Sequence, residues 1–305
     1  MNPGAEAGRS DDRWAEERAL VTAMRAGVPI TPELVNRYYT LCIPFYREFL
    51  GDHWHTGWYV DGVPTGPGDQ RRMERAIAQS AGVGDGLTVL DVGCGVGGAT
   101  CHIAQSTGAI VRGLTPNATQ QAIAQRTARL LGLGERVAFD LGFAGELPYA
   151  AGSFDVVLFF ESPCHFPDRE RFFREAWRVL KPGGCLAGQD WQASLRTERE
   201  ERQAWVDRVC QTWAIPELGT VCSYAAAMKG AGFDVQLALD MQEEMDLSRG
   251  FMSRPEDRAL VEQDMHQTDN PIRHLIMEGL LVLGESVQHG AFTIGRFVAR
   301  KPVAA

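Results

Sequence analysis

The spacing of apolar residues changes character along the chain. Through the middle, short apolar runs alternate with segments of helical period. LTVLDV (87–92) reads as a buried strand and GGATCHIAQSTG (97–108) as the helix after it. AIVRGL (109–114) is a second strand and ATQQAIAQRTARLLG (118–132) a second helix. VAFDL (137–141) and FDVVLFF (154–160) are two more strands. The latter is apolar after its Asp, which predicts burial on both faces. DRERFFREAWRVL (168–180) carries apolar residues at 172, 173, 176, 177, 179 and 180, a helical face, and KPGG ends it. CLAGQDW (185–191) is a fifth strand.

The flanks follow other patterns. Residues 1–30 read as a polar arm, and 31–59 are dense in aromatics. VPTGPGDQ is a loop and RRMERAIAQSAGV (70–82) a helix. After Trp191, residues 195–213 look helical and charged. YAAAMKGAGFDVQLALDM gives a helix and a strand, 256–288 look helical, and FTIGRFVARK is a last strand. Together these predict an α/β fold. Its Rossmann-like, seven-stranded, mostly parallel sheet has helices on both faces, an N-terminal aromatic cap and a helical insert. The expected units are an arm and cap (1–78), a core (79–191), a lid or insert (192–290) with a core strand near 233–241, and a closing strand (291–305).

Composition narrows the function. With 45% hydrophobic and 23% charged residues, the 305-residue chain is an ordinary globular protein. A net charge of −9 argues against nucleic acid as partner. No apolar run is long enough for a membrane span, and the polar start does not read as a secretory signal. Seven scattered cysteines without a CxxC pair predict neither a disulfide framework nor a zinc cluster, and a cytoplasmic location is the default.

The strongest local signal is VLDVGCGVGG (89–98), a strand running into a glycine turn and a helix. Such a turn admits a ligand close to the backbone and aims helix amides at it. Gly93, Gly95 and Gly98 satisfy the dinucleotide pattern GxGxxG. Two features oppose a nicotinamide cofactor. Asp91 stands inside the strand–glycine junction, and the second strand ends in RGLTPNATQ without an acid for a ribose. An acid at that junction suits an amine-bearing cation such as S-adenosylmethionine.

DVGCGVGG with GLTPNATQ, LPYAAGSFDVV, ESPCHFPD and RVLKPGG resembles the class I methyltransferases that use S-adenosylmethionine. More narrowly, with YYTLCIPFYREFLGDHWHTGW, it resembles the sterol C-methyltransferase and tocopherol methyltransferase group, over about residues 33–191. The resemblance implies that Gly93 and Gly95 meet the methionine end of the cofactor and that Asp91 orders the loop and the ammonium. It puts Thr115, Asn117 and Gln120 at the ribose, and Phe143, Ala144 and Phe160 around the remainder. The group usually has Asp where Phe143 stands, so Phe143 either stacks on adenine or the register shifts.

The same resemblance implies alkene chemistry; the expected acceptor is a prenyl diphosphate or a prenylated natural product, and Gly-, Ala- and Arg-rich usage suggests bacterial specialised metabolism. Methylating an alkene makes a carbocation, which needs aromatic faces and then a base. Tyr38, Tyr39, Trp54, His55, Trp58, Trp191 and Trp213 are candidate walls. Glu161 and His165 follow the fourth strand, at the sheet edge where ligands bind, and are the candidate bases. Plainer roles compete. The aromatics can be the cap's core, Glu161 can hold the cofactor's amine or a backbone amide, and His165 can cap the helix at 168. Asp190 lines the cleft or caps the next segment. No DDxxD-type run marks a metal site, so Mg²⁺ enters only with a diphosphate, for which Arg37, Arg47 and Arg273 are candidate partners. O- or N-methylation of an aromatic or amine metabolite is the alternative. The N-terminal arm is a candidate contact for a homo-oligomer.

Overall fold

A computed structural model describes residues 13–59, 68–247 and 255–303. Residues 1–12 of the expected arm and 63–67 of the expected loop lie outside that range, and Gly68, Asp69 and Gln70, expected as loop, instead open a helix. Seven strands form one sheet: β1 (Thr88–Val92), β2 (Ile110–Thr115), β3 (Val137–Leu141), β4 (Phe154–Phe160), β5 (Leu180–Ala193), β6 (Asp234–Asp240) and β7 (Phe292–Arg300). Their order is β3-β2-β1-β4-β5-β7-β6. β1 to β5 run parallel, and β7 runs antiparallel between β5 and β6. The order reverses between β1 and β4, and open sheets bind ligands at the carboxyl edge of such a switch.

Both faces of the sheet are covered. One meets α3 (Gly68–Ala81), α4 (Gly98–Thr107) and α5 (Ala118–Leu130), through side chains such as Met73, Ile77, Ile103 and Ala124. The other meets α6 (Arg169–Val179) and α8 (Val221–Gly230), through Phe172, Phe173, Tyr224 and Met228. The apolar β4 is buried on both sides, as its composition requires.

A third core lies over the carboxyl ends of the strands. α1 (Ala15–Arg25), α2 (Pro32–Leu50), α7 (Arg199–Thr212), α9 (Pro255–Gln267) and α10 (Pro271–Gln288) share it with Cys164, Ala193 and Phe292. The aromatic cap and the helical insert are therefore one packed body. The helical stretch expected at 256–288 is two helices. Asn270 accepts from the Arg273 amide and Pro271 opens the second helix, a combination that starts a new helix rather than continuing an old one. Among the described residues no helix is long and apolar enough to cross a membrane.

Candidate active site

A cavity of about 360 Å³ opens where the cap meets the carboxyl edge of β1, β2 and β4. Gly93 takes a positive φ of 79°, and a Cβ there would lie 2.3 Å from the Ser162 Cβ. Only glycine lets the β1–α4 turn pass so close to the β4 end. A Cβ at Gly98 would strike the Asp52 carbonyl, so this glycine seats the 51–59 segment on α4.

Asp91, in β1, is 1% exposed. Its Oδ2 accepts from Thr100 Oγ1 at 2.6 Å, and its Oδ1 has no partner among the described residues. Burial pushes its carboxyl up to about 7, although the Thr100 bond opposes the shift. Gly95, Thr115, Asn117 and Gln120 line the same half of the cavity. Thr115 Oγ1 donates to Gln120 Oε1 at 2.7 Å, and Asn117 caps α5 by accepting from the Gln120 amide. The Asn117 side-chain amide donates to Thr40 Oγ1 at 2.8 Å and the Asn36 carbonyl, tying this half to α2. Ala144 is buried in the wall, whereas Phe143 is 56% exposed at the rim.

Glu161, the residue after β4, takes a positive φ of 54°, a strained backbone for a residue with a Cβ. Its carboxylate accepts the Thr56 amide on both oxygens, at 3.0 and 2.9 Å. Gln189 Nε2 donates to Oε1 at 2.8 Å and Trp191 Nε1 to Oε2 at 2.7 Å. Burial raises its pKa, with His55 and the Thr56 and Gln189 donors opposing.

His165 follows in a short 3₁₀ turn. A carbonyl only accepts, so its Nδ1–H donates to the Ala214 oxygen at 3.2 Å. Nε2 is then the acceptor for the Tyr39 hydroxyl at 2.7 Å. Burial lowers the imidazole to about 4, so it is neutral at physiological pH. Its helix-capping alternative falls to Asp168, which accepts from the Arg171 amide at the start of α6.

Tyr39, Trp54, His55 and Phe160 complete the walls. Tyr39 and Trp54 stack with rings 6.4 Å apart, and His55 lies against Phe160. Four residues expected as walls do not line the cavity: Trp58, which lies under the Arg296 guanidinium, and Tyr38, Trp191 and Trp213, which stand behind the walls. Tyr38 is fully buried in the cap core, where its hydroxyl meets that of Tyr46, because α2 turns it away from its neighbour Tyr39. Trp191 spends its N–H on Glu161 and packs on Trp213, whose own N–H goes to the Gly279 carbonyl. Asp190 is likewise withdrawn, bonded to the Tyr224 hydroxyl at 2.6 Å.

The cavity's charge is one-sided. Among the described residues, Asp52, Asp91, Glu146, Glu161 and Asp168 line it against Arg171 alone. The three arginines considered for a phosphate face carboxylates instead: Arg37 meets Glu16, Arg47 meets Asp52, and Arg273 meets Glu48 and Asp264. Sequence reasoning missed Thr56 and Gln189, whose contacts with Glu161 cross more than twenty residues and leave no local pattern.

Residues 90–188 match a family model described as a methyltransferase domain. The chain is 35% identical to the methyltransferase GfsG of Streptomyces halstedii, over 69% of this chain and 76% of that protein. It is 30% identical to the cycloartenol-C-24-methyltransferase of Arabidopsis thaliana, over 70% of this chain but only 63% of that enzyme. In structure it is similar to a geranyl diphosphate methyltransferase solved with its namesake substrate and sinefungin. That match has a TM-score of 0.69 at 23% identity, covering 89% of this chain and 100% of the other, a likeness of fold. The chain belongs to the methyltransferase family.

Proposed function

We propose that this enzyme uses S-adenosylmethionine to methylate an alkene carbon of an isoprenoid acceptor. The residues fit the cofactor. A turn that tolerates close backbone approach lies beside a buried carboxylate oxygen with no partner among the described residues, as an ammonium group requires. Asp91, Gly93 and Gly95 would hold the amino-acid end, Thr115, Asn117 and Gln120 the ribose, and Phe143, Ala144 and Phe160 the rest. When bound, the cofactor supplies an electrophilic methyl group on a sulfonium.

The observation that carries the acceptor reading is the ring of groups at the β4 end. A fixed carboxylate, Glu161, stands with the faces of Tyr39 and Trp54 in a sheltered cavity. Such a site holds a transient cation, through the fixed charge and the ring quadrupoles. The neutral His165 and Tyr39 then take the leaving proton. The Tyr39 oxygen accepts it from a carbon bonded to the cationic centre, whose C–H electron pair closes the new double bond, while the Tyr39 proton passes to His165 Nε2. Five acids against one arginine among the described residues favour an acceptor without a diphosphate, such as a prenylated natural product. Mg²⁺ has no role in that reading.

The Tyr39–His165 pair also supports a second reading, O- or N-methylation of an aromatic or amine metabolite, because the same pair would deprotonate a phenol. Label transfer from methyl-labelled cofactor separates the two. The panel holds geranyl and farnesyl diphosphate, prenylated indoles, a sterol and simple phenols, with attachment read by mass and NMR. Label on a former alkene carbon of an uncharged acceptor is the expected result. Label only on oxygen or nitrogen overturns it and leaves the second reading.

A further inference from the structure

Behind the cavity wall that His55 helps to form, four side chains, His55 among them, converge from the 51–59 segment, α3 and α4. Glu74, on α3, is fully buried. Its Oε1 lies 2.6 Å from His53 Nδ1 and 2.8 Å from His55 Nε2, and its Oε2 meets His102 Nδ1 on α4. The donor atoms of His53, His55 and Glu74 all lie within 4.8 Å of one another.

We propose that His53 Nδ1, His55 Nε2 and Glu74 Oε1 bind one divalent first-row transition ion of the zinc class. Two imidazoles and one carboxylate favour such an ion over Mg²⁺ or Ca²⁺, which prefer all-oxygen shells. The surrounding hydrogen bonds set the right lone pairs. His55 Nδ1–H points at the Thr56 carbonyl, 3.4 Å away, which leaves Nε2 as the ligating nitrogen. Arg75 donates toward His102 Nε2 at 3.4 Å, so His102 carries its proton on Nδ1 and donates it to Glu74 Oε2. That bond leaves Glu74 Oε1 facing the two other imidazoles, the arrangement of an outer partner that orients a ligating carboxylate.

The spacing is close to what an ion needs. Bonds of about 2.0–2.1 Å in a tetrahedron set ligand atoms about 3.3 Å apart, so each contact need open by roughly half an ångström. The His53 side chain is 14% exposed, which gives an ion its way in and leaves a fourth position for water. The ion would act by position. His53 and His55 flank Trp54, and the next residue, Thr56, gives Glu161 its amide. Fixing this segment to α3 would hold a cavity wall and the Glu161 carboxylate in register.

The test is metal binding by the full chain, stripped with a chelator and titrated with Zn²⁺ and, separately, Co²⁺. About one ion per chain, measured by elemental mass spectrometry, and the visible bands of low-coordinate Co²⁺ are expected. H53Q and E74Q should abolish both signals, and H102Q should weaken binding by about 10- to 100-fold. Because E74Q removes a buried charge, the partly exposed H53Q, checked for fold by circular dichroism, decides the matter if E74Q does not fold. Clearly substoichiometric binding by the wild-type chain, or stoichiometric binding that H53Q leaves intact, overturns the proposal and leaves a hydrogen-bonded histidine–glutamate knot. Neither result bears on methyl transfer, since the readout is the ion.

Discussion

Asp91 and Glu161 stand at the same edge of the sheet, one inside β1 and the other just beyond its neighbour β4. Both are buried, and burial raises both carboxyls. They differ in what their oxygens touch. Asp91 has one oxygen on Thr100 and one without a partner among the described residues. Glu161 accepts four contacts from Thr56, Gln189 and Trp191. A buried oxygen without a donor is costly until a cation arrives, which is the ground for the binding role proposed for Asp91. A carboxylate already filled by donors can take a proton only by releasing one, which is the ground for the fixed-charge role proposed for Glu161. Position along a strand end does not decide a carboxylate's work; its unused lone pairs do.

The largest effect should come from removing the fixed charge. Glu161→Gln should cut turnover by about 10²- to 10³-fold while calorimetry shows cofactor affinity little changed. The new amide also faces N–H donors, which should cost about 1–3 kcal/mol of stability, visible as a lower Tm. Unchanged turnover would remove Glu161 from the reaction. Lost cofactor affinity would instead make it a second Asp91 and dissolve the contrast.

Next in size is the pair that takes the proton. Tyr39→Phe keeps the ring but breaks the path to His165, and His165→Gln removes the acceptor. Each should lower turnover by about 10- to 100-fold, and the double variant should be no worse than the weaker single. Independent, multiplying losses would show that the two side chains do not work as one. Because His165 is lowered to about 4, wild-type turnover should show no fall between pH 8 and 6 that His165→Gln abolishes.

The β1–α4 half of the cavity was legible in the sequence because it is local. Strand, glycine turn and helix are consecutive, and the acid inside the strand stands out in the same short stretch. The sheet followed from the same alternation. The other half is assembled from segments far apart, 36–56, 161–165, 189–191 and 213–214, and no periodicity shows which aromatic faces inward. Tyr38 and Tyr39 are adjacent, yet helical geometry sends one into the cap core and the other to the cavity. Trp191 looked like a wall because indoles are large and apolar, but its single N–H found a buried acceptor, as buried indoles usually do. The split of 256–288 was written in Asn270–Pro271 and is a start signal that the helical period hid.

The smallest effect tests Asp91 through its proton. Burial places its carboxyl near 7 in the free protein, and a bound cation requires the ionised form. Below pH 7 the ligand must therefore displace a proton to bind. Between pH 8 and 6 the ionised fraction falls by about tenfold, and affinity for S-adenosylhomocysteine, measured by calorimetry, should fall with it. The ligand's own amine also titrates, but it does so identically with any variant. Asp91→Asn should thus bind more weakly at every pH and lack the part of the slope that belongs to Asp91. If wild type and Asp91→Asn share one slope, the unpartnered oxygen does not meet the ammonium. Asp91 would then be a structural acid like Glu161, and the difference between the two carboxylates would vanish.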